Sequence, residues 1–165
     1  MLHVFSDLEG IRIAAEMERR GESFYRHAAR VSKSDDTVAL LDVLAHDEMN
    51  HRAEFERLFS SEAGVLSDEA YDDETNAYLS AVAADVVFPG GLMALRDAGF
   101  EDSEAVLKNA ITSEKDSIMF YTELYMRARD EHARAVFGEI IRQEKGHLRL
   151  LRQRLNQLKI TEPEE

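Results

Sequence analysis

The chain has 165 residues, 44% of them hydrophobic and 32% charged, with 2 Pro and 8 Gly, which suits one mostly helical domain over 1–165. A formal charge of −13 argues against nucleic acid, whose phosphates need a basic surface. The absence of cysteine excludes disulfides, thiolate chemistry, Cys-ligated zinc and iron–sulfur clusters.

The opening "MLHVFSDLEG" has no basic region followed by an apolar run, so the expectation is a cytoplasmic protein without a signal peptide. Ser6-Asp7-Leu8-Glu9 is a capping box and opens a helix running to about Ser32. After the polar turn "KSDD" at 33–36, a second helix runs from about Asp36 to Phe59. Its apolar stripe is Val38, Leu41, Leu44, Ala45 and Phe55. Residues 60–102 are less regular and are expected to form a connecting segment of one or two shorter helices, including "DETNAYLSAVAADVVF". The apolar stretch "SAVAADVVFPGGLMAL" carries Asp85 and a Pro-Gly-Gly break, so no membrane span is expected. A third helix begins near Ser103 and ends about Ala128, "RDEH" at 129–132 turns the chain, and a fourth runs from about Ala133 to Lys159.

The two hairpins repeat one another at a shift of 96 residues. "EMERRGESFY" (16–25) aligns with "TSEKDSIMFY" (112–121), pairing Glu18 with Glu114, Phe24 with Phe120 and Tyr25 with Tyr121. The same shift carries Glu48 to Glu144 and His51 to His147. In a short-looped antiparallel hairpin, Glu18 and Glu48 lie at the same height, as do Glu114 and Glu144. Residues three apart share a helix face, so each His points the way its Glu does.

Two such hairpins packed face to face aim four carboxylates and two imidazoles into one core. Buried without compensation, that charge exceeds the stability of a whole domain, and a pair of divalent cations would cancel it. Hard oxygen donors with two imidazoles suit Fe or Mn, and one Glu from each of two helices with Glu-x-x-His from the other two is the di-iron bundle pattern. A single Glu-x-x-His means little, because 6 His in 165 residues put one three after any Glu about 4% of the time. Two in register, with Glu48 and Glu144 each 30 residues after a further glutamate, Glu18 and Glu114, mean much more.

On "EMERRGESFYRHAA", "LAHDEMNHRAEFERL", "AITSEKDSIMFYTEL" and "EIIRQEKGHLRLL", the chain resembles the rubrerythrin branch of the ferritin-like superfamily. The resemblance implies an all-α, ferritin-like antiparallel four-helix bundle with a di-iron centre. It also implies reaction with peroxide or dioxygen, and a homodimer or larger assembly. Carried over by position, the metal ligands are Glu18, Glu48, His51, Glu114, Glu144 and His147. Glu48 and Glu144 would bridge the two metals, and His51 and His147 would cap one each. Peroxidase members of the family carry a further carboxylate where this chain has Ser117, which weakens a peroxide reductase reading and favours ferroxidase or iron handling. With no cysteine there is no rubredoxin-type domain in this sequence, so an external donor or ferrous iron itself supplies electrons. Mn or another divalent metal also fits the ligand set.

A ligating histidine usually donates its other N–H to an acceptor. By analogy with related bundles, Asp47 would receive His147, and its repeat mate Gln143 would receive His51. Tyr25 and Tyr121 lie two turns from Glu18 and Glu114 on the same face. Two roles fit them: core aromatics, or partners that bond a ligand carboxylate or pass electrons. Glu22 has Ile118 as counterpart and is expected to be a surface residue. Helical spacing suggests core filling for Met17, Met49, Met119 and Met126. Against the di-iron oxidoreductase stand a non-catalytic iron-binding or storage module and a purely structural helical protein.

Overall fold

The computed structural model describes residues 4–62, 65–87 and 102–161. Among these residues five helices follow in order: α1 (Asp7–Val31), α2 (Asp35–Glu62), α3 (Asp73–Val87), α4 (Ser103–Arg127) and α5 (Glu131–Thr161). Each starts where a short polar side chain takes up a free backbone N–H of the first turn. Ser6 Oγ accepts from Glu9 N at 3.1 Å, and Ser34 Oγ accepts from Thr37 N at 3.3 Å. Asp72 serves Thr75 N at 2.9 Å, Asp102 serves Glu104 N at 3.0 Å, and Asp130 serves Ala133 N at 2.7 Å.

The last of these corrects a boundary. Asp130 is the cap, so α5 opens at Glu131 and the turn uses less of "RDEH" than the sequence suggests. The second helix likewise runs past Phe59 to Glu62. Pro89-Gly90-Gly91 lies outside the described residues.

α1 pairs with α2 and α4 with α5, and the two hairpins close against one another as a four-helix bundle. Two apolar clusters fill it. Phe5, Ile11, Met17, Phe55, Phe120 and Phe137 belong to one, and Phe24, Leu41, Leu44, Leu107, Leu151 and Leu155 to the other. Along every long helix the two clusters are separated by a Glu: Glu18, Glu48, Glu114 or Glu144. The charged layer is thus sealed by packed hydrocarbon on both sides.

α3 packs on α4 and the start of α1. A buried polar network fixes it there. Asn76 accepts from Phe5 N at 2.8 Å and donates to Tyr71 O at 2.9 Å, while Tyr71 N reaches Phe5 O at 2.9 Å. Asp7, 1% exposed, takes the Tyr71 hydroxyl at 2.6 Å together with Arg129 N at 2.9 Å and Asp130 N at 3.0 Å. One carboxylate therefore ties the start of α1 and the entry to α3 to the α4–α5 turn. No described helix is long and apolar enough to cross a membrane.

Met17 is core, but Met119 and Met126 are 45% and 60% exposed, so core filling does not account for them. Glu22 is half-buried against Arg26 at 3.0 Å and Arg52 at 2.9 Å, and is not part of the central cluster.

Candidate metal centre

The repeat determines which side chains meet. Glu18, Glu48, His51, Glu114, Glu144 and His147 are all buried, between 1% and 6% exposed. They converge as two overlapping sets, Glu18, Glu48, His51, Glu144 and Glu48, Glu114, Glu144, His147. Within each set one donor atom per residue lies within 4.8 Å of the others. Glu48 and Glu144 belong to both sets. The two imidazoles stack across the middle, with centroids 5.6 Å apart and planes at 20°.

Seven buried atoms in this cluster have no hydrogen-bond partner: Glu18 Oε2, Glu48 Oε1, Glu114 Oε2, both oxygens of Glu144, and Nδ1 of His51 and His147. They are nevertheless close. His51 Nδ1 is 2.7 Å from Glu144 Oε1 and 3.5 Å from Glu18 Oε2. His147 Nδ1 is 3.3 Å from Glu48 Oε1 and 3.5 Å from Glu144 Oε2. The separations suit hydrogen bonds, but the alignment does not. Buried donor atoms gathered within 4.8 Å of one another and left without hydrogen bonds are what a cation site requires.

The outward-facing atoms are satisfied. Tyr121 donates to Glu18 Oε1 at 2.7 Å, and Tyr25 donates to Glu114 Oε1 at 2.6 Å, each crossing to the other hairpin. Burial, then the adjacent carboxylates Glu18 and Glu114 respectively, raises both phenols well above their ordinary range and keeps them protonated donors. His147 Nε2 lies 3.0 Å from Asp47, and His51 Nε2 lies 2.8 Å from Gln143 Oε1. Gln143 gives an N–H to Glu139 at 2.9 Å, and Arg142 holds Glu139 at 2.6 Å, which leaves the Gln143 oxygen free for His51. With Nε2–H so engaged, Nδ1 is the ring atom that faces the cluster, and it offers a lone pair there once its proton has left.

Protons compensate the cluster in the absence of cations. Burial raises Glu48 well above its ordinary value, and the charge of Glu144 adds to this. The same two causes push Glu114 up to about 8. Burial alone would lower both histidines. For His51, Glu144 and Glu18 override it and push the imidazole up to about 11, and for His147, Glu114 and Glu144 raise it further. Burial and the charge of Glu18 push Glu144 up, but its contacts with Glu114, His147 and His51 outweigh them and hold it below its ordinary value. A groove of about 500 Å³ between α2 and α5 reaches His51 from the surface, walled by Asn50, Glu54, His132, Glu139 and Gln143.

A crystal structure described as a ferritin-like diiron-carboxylate protein from Thermotoga maritima matches with a TM-score of 0.67, over 93% of this chain and 97% of that one, at 24% identity. The fold is ferritin-like. The family model described as Rubrerythrin matches residues 105–165, which hold nearly all of α4 and all of α5. No curated protein matches the chain. In this ferritin-like frame the first hairpin carries the same residue types by the 96-residue repeat.

Sequence reasoning missed two residues beside the cluster. Glu139 supports Gln143, and a Glu four residues before a Gln on one helix face was the available signal. Gly21 sits in the middle of α1, where a glycine costs roughly 0.5–1 kcal/mol against alanine, and that cost was itself the signal.

Proposed function

We propose that the chain is a di-iron carboxylate protein that reacts with peroxide or dioxygen, as ferroxidase or peroxide reductase. The observation that supports this best is the set of seven buried, partnerless donor atoms shared between two four-residue groups. A fold does not retain such a set unless something compensates it. Carboxylates and two imidazoles favour iron or manganese over a closed structural zinc site.

In this reading Glu18 and Glu114 would each serve one metal, Glu48 and Glu144, which belong to both sets, would serve both, and His51 and His147 would complete the sets. Two ferrous ions there would supply the electron pair that reduces peroxide or dioxygen. The remaining work belongs to the protein. Tyr121 and Tyr25 hold Oε1 of Glu18 and of Glu114, which leaves Oε2 of each carboxylate buried and without a partner. Asp47 and Gln143 set the imidazole tautomers. The apolar clusters on both sides exclude bulk water, and the groove beside His51 gives small molecules a way in. Ser117 offers no carboxylate of its own, which favours ferroxidase chemistry.

The test is stopped-flow mixing of anaerobic Fe(II)-loaded protein with peroxide or with air. A near-ultraviolet charge-transfer band that grows within seconds supports the proposal, and the faster oxidant identifies the reaction. Iron oxidising no faster than free Fe(II) would refute it.

A further inference from the structure

We infer that Gly21 makes the two shared carboxylates unequal and thereby keeps a coordination place open for a small exogenous ligand of the peroxide or azide class. The inference rests on the proposed metal centre and deepens it.

A Cβ built on Gly21 would lie 2.7 Å from Glu48 Oε2, with Glu48 Cδ at 3.4 Å and Cγ at 3.5 Å. Real Cβ atoms essentially never come within 3.0 Å, so Glu48 Oε2 occupies the space that any other residue would fill. Glu48 accordingly offers the cluster a single partnerless oxygen, Oε1, whereas Glu144 offers both. The two are also unequal in exposure, 6% for Glu48 and 1% for Glu144.

The repeat supplies an internal comparison. The 96-residue shift that carries Glu48 to Glu144 carries Gly21 to Ser117. At the repeat position α4 carries Ser117, and both oxygens of Glu144 are buried without a partner, whereas opposite Gly21 only Oε1 of Glu48 is. Glycine is a poor choice inside a long helix, and of the described helical glycines Gly10, Gly21, Gly138 and Gly146, Gly21 is the one whose missing Cβ leaves room for an atom of the donor cluster. The obstructing atom is the end of a flexible side chain and not backbone, so alanine at 21 fits if the Glu48 carboxylate rotates. Rotation brings its second oxygen toward the cations and fills the place that a small ligand would take. Gly21 is thus a positioning residue, acting through Glu48.

The experiment uses full-length wild-type, Gly21→Ala and Ser117→Ala proteins. Equilibrium Co(II) titration first counts metals per chain. Azide is then titrated into the iron-loaded, oxidised proteins and followed by its visible charge-transfer band. Two metals in each, with azide affinity about tenfold or more weaker in Gly21→Ala and unchanged in Ser117→Ala, supports the inference. Equal azide affinity in Gly21→Ala and wild type overturns it while leaving the metal centre standing. No metal in the wild type overturns the metal centre itself. A crystal structure of the Mn(II)-loaded wild type tests the point without any variant. Glu48 bound through Oε1 alone, with Oε2 against Gly21, supports the inference, and Glu48 bound through both oxygens overturns it.

Discussion

Loading the site with two divalent cations should expel at least two protons at pH 7. Glu114 keeps its proton up to about 8 and His51 up to about 11, and Glu48 and His147 are raised in the same direction. Cations bind only the deprotonated forms. The departing protons offset part of the charge that the cations bring. Each displaced proton makes binding about tenfold stronger per pH unit, so the product of the two affinities should rise at least about 100-fold per unit below pH 8. Above pH 8 Glu114 is already ionised, and the count should fall by one. Calorimetric titration with Co(II) in two buffers of different ionisation enthalpy measures the count directly. Release of one proton or none would refute the reasoning, because the ligands would then be other groups. A stability corollary carries the same sign. Glu114 and His51 are both raised from their ordinary 4.5 and 6.5, so the stability they give the metal-free protein is full below those values. It is lost as pH climbs through about 8 and then about 11, and the gap in Tm between loaded and metal-free protein should widen with pH.

Tyr121→Phe removes the donor from Glu18 Oε1 and should destabilise the metal-free protein by about 1–3 kcal/mol in urea denaturation, with two metals still bound but more weakly. Asp47→Ala strips the acceptor from His147 and should lower Co(II) affinity about 10–100-fold in chelator competition, with no change in stoichiometry. Asp7→Ala orphans the Tyr71 hydroxyl and two backbone N–H groups at once. It should cost about 3 kcal/mol or more by denaturation, while metals per chain stay unchanged because the network lies away from the cluster.

The parts legible in the sequence are those governed by helix geometry. A rise of about 1.5 Å per residue and a short loop place Glu18 opposite Glu48, and an i, i+3 spacing aligns His51 with Glu48, without knowledge of any other contact. Packing the two hairpins face to face then brings the six side chains together. What spacing could not supply was direction. Tyr25 and Tyr121 fitted either a core stripe or a bond to a carboxylate, and only the inter-hairpin packing sends each to the opposite Glu. The inequality of Glu48 and Glu144 depends on a side-chain rotation against Gly21, which no periodicity encodes. Asp7 reads locally as a residue of a capping box, yet its partners lie 64, 122 and 123 residues away. Met119 and Met126 fall at helical positions but face outward, since helical spacing alone does not say which face is buried.

The central claim is that the six buried side chains hold two metals. Anaerobic equilibrium titration of the metal-free protein with Fe(II), alongside Glu144→Ala, tests it most directly, because Glu144 belongs to both groups of donors. The account predicts two tightly bound irons per chain in the wild type and the loss of both from the variant, which should remain helical. A fully helical wild type that binds no iron tightly, or a variant that still binds two, would contradict it.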